Sequence, residues 1–456
     1  MTRILTKDRK FYRQLLTIAV PIALQNLLNF SVSMADTVML GMLGEVHLSA
    51  ASLANQLGFI YGLFTFGVAG GSNVMIAQFW GKGDIKSIHK VITIMYRVLF
   101  VGGIFFTVLA LAFNRQVLGI FSTDPAVIEN GAKFLRWVGA SYLLMGLAST
   151  TVIMLRSVGS VKVALVVSMS SLITNIFFNW VLIFGNLGAP RMEIEGAAIA
   201  TCIARVVEFT IAMIYMFKVE KKIRYKIRHL FMRKIGIIRE FVKNAVPVAV
   251  NELIWGMGSA MIAVIIGRMG TEFTAANSIC GVLSQLVTIT IFGAGNAAAV
   301  IIGNTVGGGE YDKAQEYGRS LTFISIGLGL VSCGVVHLLK YPMMSLYNVS
   351  ETVLLYTGQI INVYSVIVIF QALSAMSIVG VLRGGGDTRF ALLMDVVFMW
   401  LISIPLGFLT GLGLGWSVPV VYFIIKCDEI FKTFFSFFRI MSGEWVNDVT
   451  KVRQVQ

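Results

Sequence analysis

The sequence predicts an all-α polytopic membrane protein, with twelve transmembrane helices in two pseudo-symmetric six-helix lobes. Three observations carry this expectation. The 456 residues are 57% hydrophobic and 13% charged, with a mean hydropathy of +0.81. A soluble chain carries roughly twice that share of charge, so this one could not coat a globule of its size. Second, the apolar residues fall into twelve runs, each near the roughly 20 residues needed to cross a bilayer. Third, the first six runs and the last six repeat one another.

The runs lie at 15–40, 48–79, 91–113, 134–155, 163–184, 196–217, 244–267, 275–305, 320–340, 356–381, 390–411 and 416–438. The basic start (Arg3, Lys7, Arg9, Lys10, Arg13) resembles that of a signal peptide. The apolar run to Gly41 is too long for one and has no small-residue cleavage site, so it reads as the first span. The second and eighth runs are long enough to tilt or to project from the bilayer. The basic stretch "KVEKKIRYKIRHLFMRKIGIIREFVK" separates the halves. The expected organisation is an N-lobe at 1–217, a solvated connector at 218–243 that contacts lipid headgroups, and a C-lobe at 244–456.

The net charge of +14 does not point to nucleic acid, because the basic residues lie in the loops. With the N-terminus in the cytoplasm, cytoplasmic segments hold 27 Lys/Arg and outer segments six. That asymmetry places both termini in the cytoplasm. The four cysteines lie in apolar runs and suggest neither disulfides nor zinc.

At a shift of 226 residues, "AVPIALQNLL" (19–28) lies over "AVPVAVNELI" (245–254). Pro21 meets Pro247, Gly41 meets Gly267 and Gly44 meets Gly270. From 19 to 83, 18 of 65 positions are identical. A shift of 227 places "LRSVGSVKVAL" over "LRGGGDTRFAL", and one of 221 places Arg205/Glu208 over Lys426/Glu429. Six spans per repeat is an even number, so the halves are parallel, related by an axis along the membrane normal. Transporters built this way bind substrate between the halves and rock to alternate access. A channel or a membrane enzyme does not need this duplication.

An aspartate at a helix centre costs about 2.5–3.5 kcal/mol on insertion scales, so each intramembrane acid is a functional candidate. Asp36 has no basic residue within a turn of it. Asn175 and Asn179 share one face of the fifth run, with Thr174 nearby. Asp36 with these oxygens suits Na⁺, a proton, or plain interhelical hydrogen bonding. In the seventh run Glu252 precedes Trp255 by three residues, a carboxylate and an aromatic ring suited to an organic cation. Its repeat counterpart at shift 226 is Asn26. Gln285 and Asp395 complete the polar candidates for a C-lobe cavity, Asp395 leaning toward a structural role. Arg205/Glu208, Lys426/Glu429 and Asp428/Lys432 are spaced for local ion pairs. Asp387, in "RGGGDTR", suits turn or capping chemistry. The Met and Phe residues are lipid-facing or core, some of them possible lining for a pliable cavity. The four histidines form no cluster, and no P-loop, metalloprotease or nucleophile-elbow pattern occurs, so nothing here supports an enzyme. Asn348-Val-Ser350 is a formal glycosylation sequence.

"VPIALQNLLNFSVSMADTVMLGMLG", "LSAASLANQ", "LRSVG" and "LRGGGDTR", in this order, resemble the multidrug and toxic compound extrusion (MATE) family from about residue 11 to 440. Features of its NorM-like and DinF-like branches are mixed. The resemblance implies a twelve-helix antiporter that exports amphipathic, often cationic compounds in exchange for Na⁺ or H⁺. It would use no cofactor and would act as a monomer in the inner or plasma membrane. Asp36 matches the family's first-helix aspartate for cation coupling, and Asn175 and Asn179 its fifth-helix partners. One branch has an aspartate at the second of these positions. Glu252 stands for the seventh-helix acid of the NorM-type branch. The tenth-helix aspartate of that branch is missing, since Gln371 and Ala372 occupy the region. A flippase for a lipid-linked precursor is the second reading. It would favour a basic cavity, whereas these spans are richer in acids.

Overall fold

The computed structural model describes residues 5–232, 235–347 and 349–451. Arg3, Arg233, Lys234 and the sequon's Asn348 lie outside these residues.

No strand occurs among the described residues, and each expected span is met by helix. The first three spans are Arg9–Gly41, Glu45–Lys82 and Ile85–Ala112. The fourth is a bent pair, Pro125–Ala140 and Tyr142–Ser157, meeting at 49°. The fifth to eleventh are Lys162–Phe184, Glu193–Val219, Ile238–Met269, Thr271–Gly307, Tyr311–Ser345, Glu351–Leu382 and Thr388–Gly413. Among the described residues, ten helices are thus long and apolar enough to cross a membrane, and the bent pair makes eleven. The twelfth span divides into Val418–Ile424 and Asp428–Ser442, each too short to span alone. The tenth and eleventh spans contain wide π-helical stretches, one of them starting directly after Asp395.

Packing resolves two compact units. The N-unit holds Leu24–Ile76 and Asp84–Ala245; the C-unit holds Met1–Ala23, Ala77–Gly83 and Val246–Gln456. Each has its own apolar core. In the N-unit Leu40, Leu57, Tyr61, Leu135 and Tyr142 are part of one buried cluster. In the C-unit Ile265, Phe273, Leu283, Ile360 and Tyr364 are part of another.

The repeat is physical at its turns. Gly44 and Gly270, 226 residues apart, each join two long helices with positive φ, +114° and +132°. A side chain disfavours those angles, which is why both positions are glycine. Within the C-unit, the ends of the second and eighth spans touch through glycines at the same shift. Gly81 lies against the Asn304 carbonyl and Gly307 against the Gln78 carbonyl.

The expectation of a merely solvated connector is corrected. Ile223 and Tyr225 are buried. The Tyr225 hydroxyl is 2.9 Å from Thr93 Oγ1, and His89 Nε2 is 2.8 Å from the Ile223 carbonyl. Arg97 donates to the Leu230 and Met232 carbonyls at 2.7 Å. Arg224, between them, takes a left-handed turn (φ +55°), and the buried Ile223 and Tyr225 side chains with these hydrogen bonds seat the connector on the third span. Arg224, Lys226 and Arg228 stay exposed.

Candidate functional site

Each unit holds a polar cluster between membrane-spanning helices. In the N-unit the i, i+4 spacing of Asn175 and Asn179 puts both amides on one face of the fifth span. Both are fully buried. Asn179 Nδ2 donates to Asp36 Oδ1 at 2.5 Å and to Asn175 Oδ1 at 3.1 Å. Asn175 Nδ2 reaches Thr201 Oγ1 of the sixth span at 3.4 Å. Asn179 Oδ1 is buried with no hydrogen-bond donor among the described residues. The Arg205 guanidinium pairs with Glu208 at 2.7 Å and acts electrostatically on Asp36.

The structure therefore gathers Asp36, Asn175 and Asn179 but not Thr174. That hydroxyl is half-buried and makes no hydrogen bond among the described residues. Thr174 precedes Asn175 by one position, about 100° around the helix, so it turns away from the cluster face. Thr201 takes the place expected of it. A threonine in an apolar run gives no signal of its own. Asp36, with the amide oxygens of Asn175 and Asn179, could hold a small hard cation or a proton. The orphaned Asn179 oxygen fits such a guest, since an amide turned over would aim it at the carboxylate's side.

In the C-unit, Glu252 is not a free carboxylate facing an aromatic ring. Arg383 Nη1 pairs with it at 2.7 Å, and both side chains are largely buried. Trp255 is exposed, and its indole makes no hydrogen bond among the described residues. Gln285 is exposed, and Asn26, half-buried, makes no hydrogen bond among those residues either. The contact counterpart of Glu252 is Gln25, which accepts from Arg156. Both residues of the second pair lie 227 places after those of the first. In each repeat, the Leu-Arg motif thus sends its arginine back to the helix that carries the repeat's proline. Matching the prolines alone, at 226, misses this by one residue and points to Asn26.

Asp395 is bound by Lys432 Nζ at 2.6 Å and by Asn251 Nδ2 at 2.8 Å. Lys432 also holds Asp428 at 2.8 Å and is only 3% exposed. The expected Lys426–Glu429 pair does not form, and Glu429 accepts from Ser374 instead. Lys426 lies in the break between the halves of the twelfth span, so its three-residue spacing does not run along one helix. Asp387 makes no side-chain cap; it pairs with Arg439 at 2.9 Å. The expected Asp428–Lys432 pair forms; what sequence reasoning missed in the C-unit cluster is Arg383 at Glu252 and the reach of Lys432 to Asp395. The count of buried acids was the available hint, because a buried carboxylate requires a partner.

Duplicated membrane-spanning halves, with ionisable groups held at depth in each, define a polytopic membrane transporter. The MatE family model matches residues 21–181 and 247–409, two copies whose starts are 226 residues apart. The chain belongs to the MatE family and is a multi-pass membrane transporter, not an enzyme. It is 26% identical over 449 residues to the uncharacterized transporter YisQ of Bacillus subtilis, covering 96% of each chain. It is 22% identical over 444 residues to the probable multidrug resistance protein NorM of Thermotoga maritima, covering 97% of this chain and 95% of that one. The fold matches that of a Vibrio cholerae MATE transporter in its bent form. The TM-score is 0.84 at 15% identity, over 95% of this chain and 97% of that one.

Proposed function

We propose that this protein is a secondary active multidrug antiporter. It exports amphipathic, often cationic organic compounds in exchange for Na⁺ or H⁺ by alternating access. The plasma (inner) membrane is its proposed site, as a monomer with both termini in the cytoplasm, following the distribution of basic residues. The multidrug-resistance names of relatives that match most of the chain support the substrate class.

One observation carries the coupling role. Asp36 sits within a span against an asparagine whose amide oxygen is buried and, among the described residues, unpartnered. An inward-moving cation bound there would favour one conformation, and a cationic drug the other. Linkage then requires each to weaken the other's binding. The acids of both clusters favour this reading over a lipid-precursor flippase, which needs a basic cavity.

The test is drug efflux from proteoliposomes under separately imposed Na⁺ and proton gradients. Asp36→Asn is expected to bind drug but to lose gradient-driven efflux. Normal efflux by Asp36→Asn under both gradients rules out the coupling role.

A further inference from the structure

The carboxyls around Lys432 outnumber their cations. Asp395, Asp428 and Glu429 all act on its ammonium, and Arg383, which also acts on Asp395, is already paired with Glu252. Four carboxyls thus share two engaged bases. Lys426, in the break of the twelfth span, makes no ion pair among the described residues. Surplus negative charge inside a span is costly, and a metal cation or a proton would relieve it.

The geometry separates these two remedies. Lys432 Nζ stands 2.6 Å from Asp395 and 2.8 Å from Asp428, in the place between them that a small cation would take. Its charge also repels such an ion. A proton needs no such space. Glu429 has no ion-pair partner among the described residues and accepts only from the Ser374 hydroxyl. Asn251 is 2% exposed and donates through Nδ2 to Asp395, while its Oδ1 is buried without a donor among the described residues. Once the amide turns over, a protonated Asp395 supplies the O–H that this oxygen lacks.

We propose that Asp395, Asp428 and Glu429 form a proton-binding site of the C-unit, separate from Asp36, and that Lys432 excludes Na⁺ from it. A carboxylate oxygen takes the proton from water and returns it, and no other bond changes. The groups that set its affinity come from four helices, counting Asn251 of the seventh span, with Arg383 just past the tenth span also acting on Asp395. Lys432 and Asp428 lie on Glu429's own helix, Asp395 comes from the eleventh span, and Ser374 and Tyr364 from the tenth.

The test is an infrared titration of the protonated-carboxyl C=O band of the full chain in nanodiscs. It is done in the Asp36→Asn background, so that it stands whatever the fate of the coupling role. Three results are expected. The band titrates identically in KCl and NaCl. It shrinks when Glu429→Gln is added. With Lys432→Met, proton binding tightens about tenfold or more, as loss of an adjacent cation requires, and Na⁺ now competes. Identical spectra with and without Glu429→Gln overturn the proposal, as does displacement of the band by Na⁺ while Lys432 is present. If Glu429→Gln does not fold, Ser374→Ala decides, because an unmoved titration midpoint there also overturns it.

Discussion

Replacing Gly81 by alanine puts a Cβ 1.9 Å from the Asn304 carbonyl oxygen and 2.7 Å from its carbon. At Gly307 the new Cβ lies 1.8 Å from the Gln78 carbonyl oxygen. Even a close C···O contact needs about 3.3 Å, so the two backbones must part by roughly 1.4 Å. Inserting a methylene into a packed interior costs about 1–3 kcal/mol. Here the obstacle is main chain at the ends of two long helices, which places the cost near about 3 kcal/mol. Alanine's helix propensity returns about 1 kcal/mol, leaving a net loss of about 2 kcal/mol. For a domain of this size that is a fall of roughly 4–8 °C in Tm. Intrinsic-fluorescence melting of the detergent-solubilised protein measures it. The double variant should lose less than the sum of the singles. Gln78 and Gly81 are three residues apart on one helix, so the first separation relieves part of the second clash. A Gly81→Ala midpoint at or above wild type would refute the close approach, because propensity alone would then be acting.

Arg383→Gln leaves the buried Glu252 carboxylate unpaired and should cost about 3–5 kcal/mol. Arg156→Gln strands only the neutral Gln25 and should cost about 1–3 kcal/mol. Melting of both variants, with Glu252→Gln rescuing the first, checks the difference in charge between the repeats. The connector should loosen in acid. Burial holds His229 below the ordinary imidazole range, aided by His89, Arg228 and Lys226. A depressed histidine contributes its stability above the unfolded-state pKa of about 6.5 and loses it as pH falls further. Protection against hydrogen exchange at residues 223–232, taken relative to the intrinsic rate at each pH, should therefore fall below that pH, more in wild type than in His229→Gln. Equal pH dependence in the two would count against a role for the imidazole.

Most of the architecture was legible in the sequence because hydropathy in a bilayer is a local property. Any run of about 20 apolar residues must satisfy its backbone internally, so it is a helix whatever its neighbours do. Pro21/Pro247 and Gly44/Gly270 likewise marked the repeat, since those turns require those residues. Within one helix, spacing also sufficed, and the i, i+4 amides of Asn175 and Asn179 do meet Asp36. Sequence spacing failed where a helix broke, as at Lys426 and Glu429, or where a nearer partner came from another segment, as with Arg439 at Asp387.

By itself, then, the sequence determined the helices, their order, the duplication and the cost of burying Asp36, Glu252 and Asp395. Only the tertiary structure decided which groups meet that cost. Arg383 reaches Glu252 across 131 residues of chain, and Asn179 reaches Asp36 across 143. Partners so far apart are chosen by which helix faces pack together. No periodicity in the chain records that choice, because a buried charge is satisfied by proximity in space.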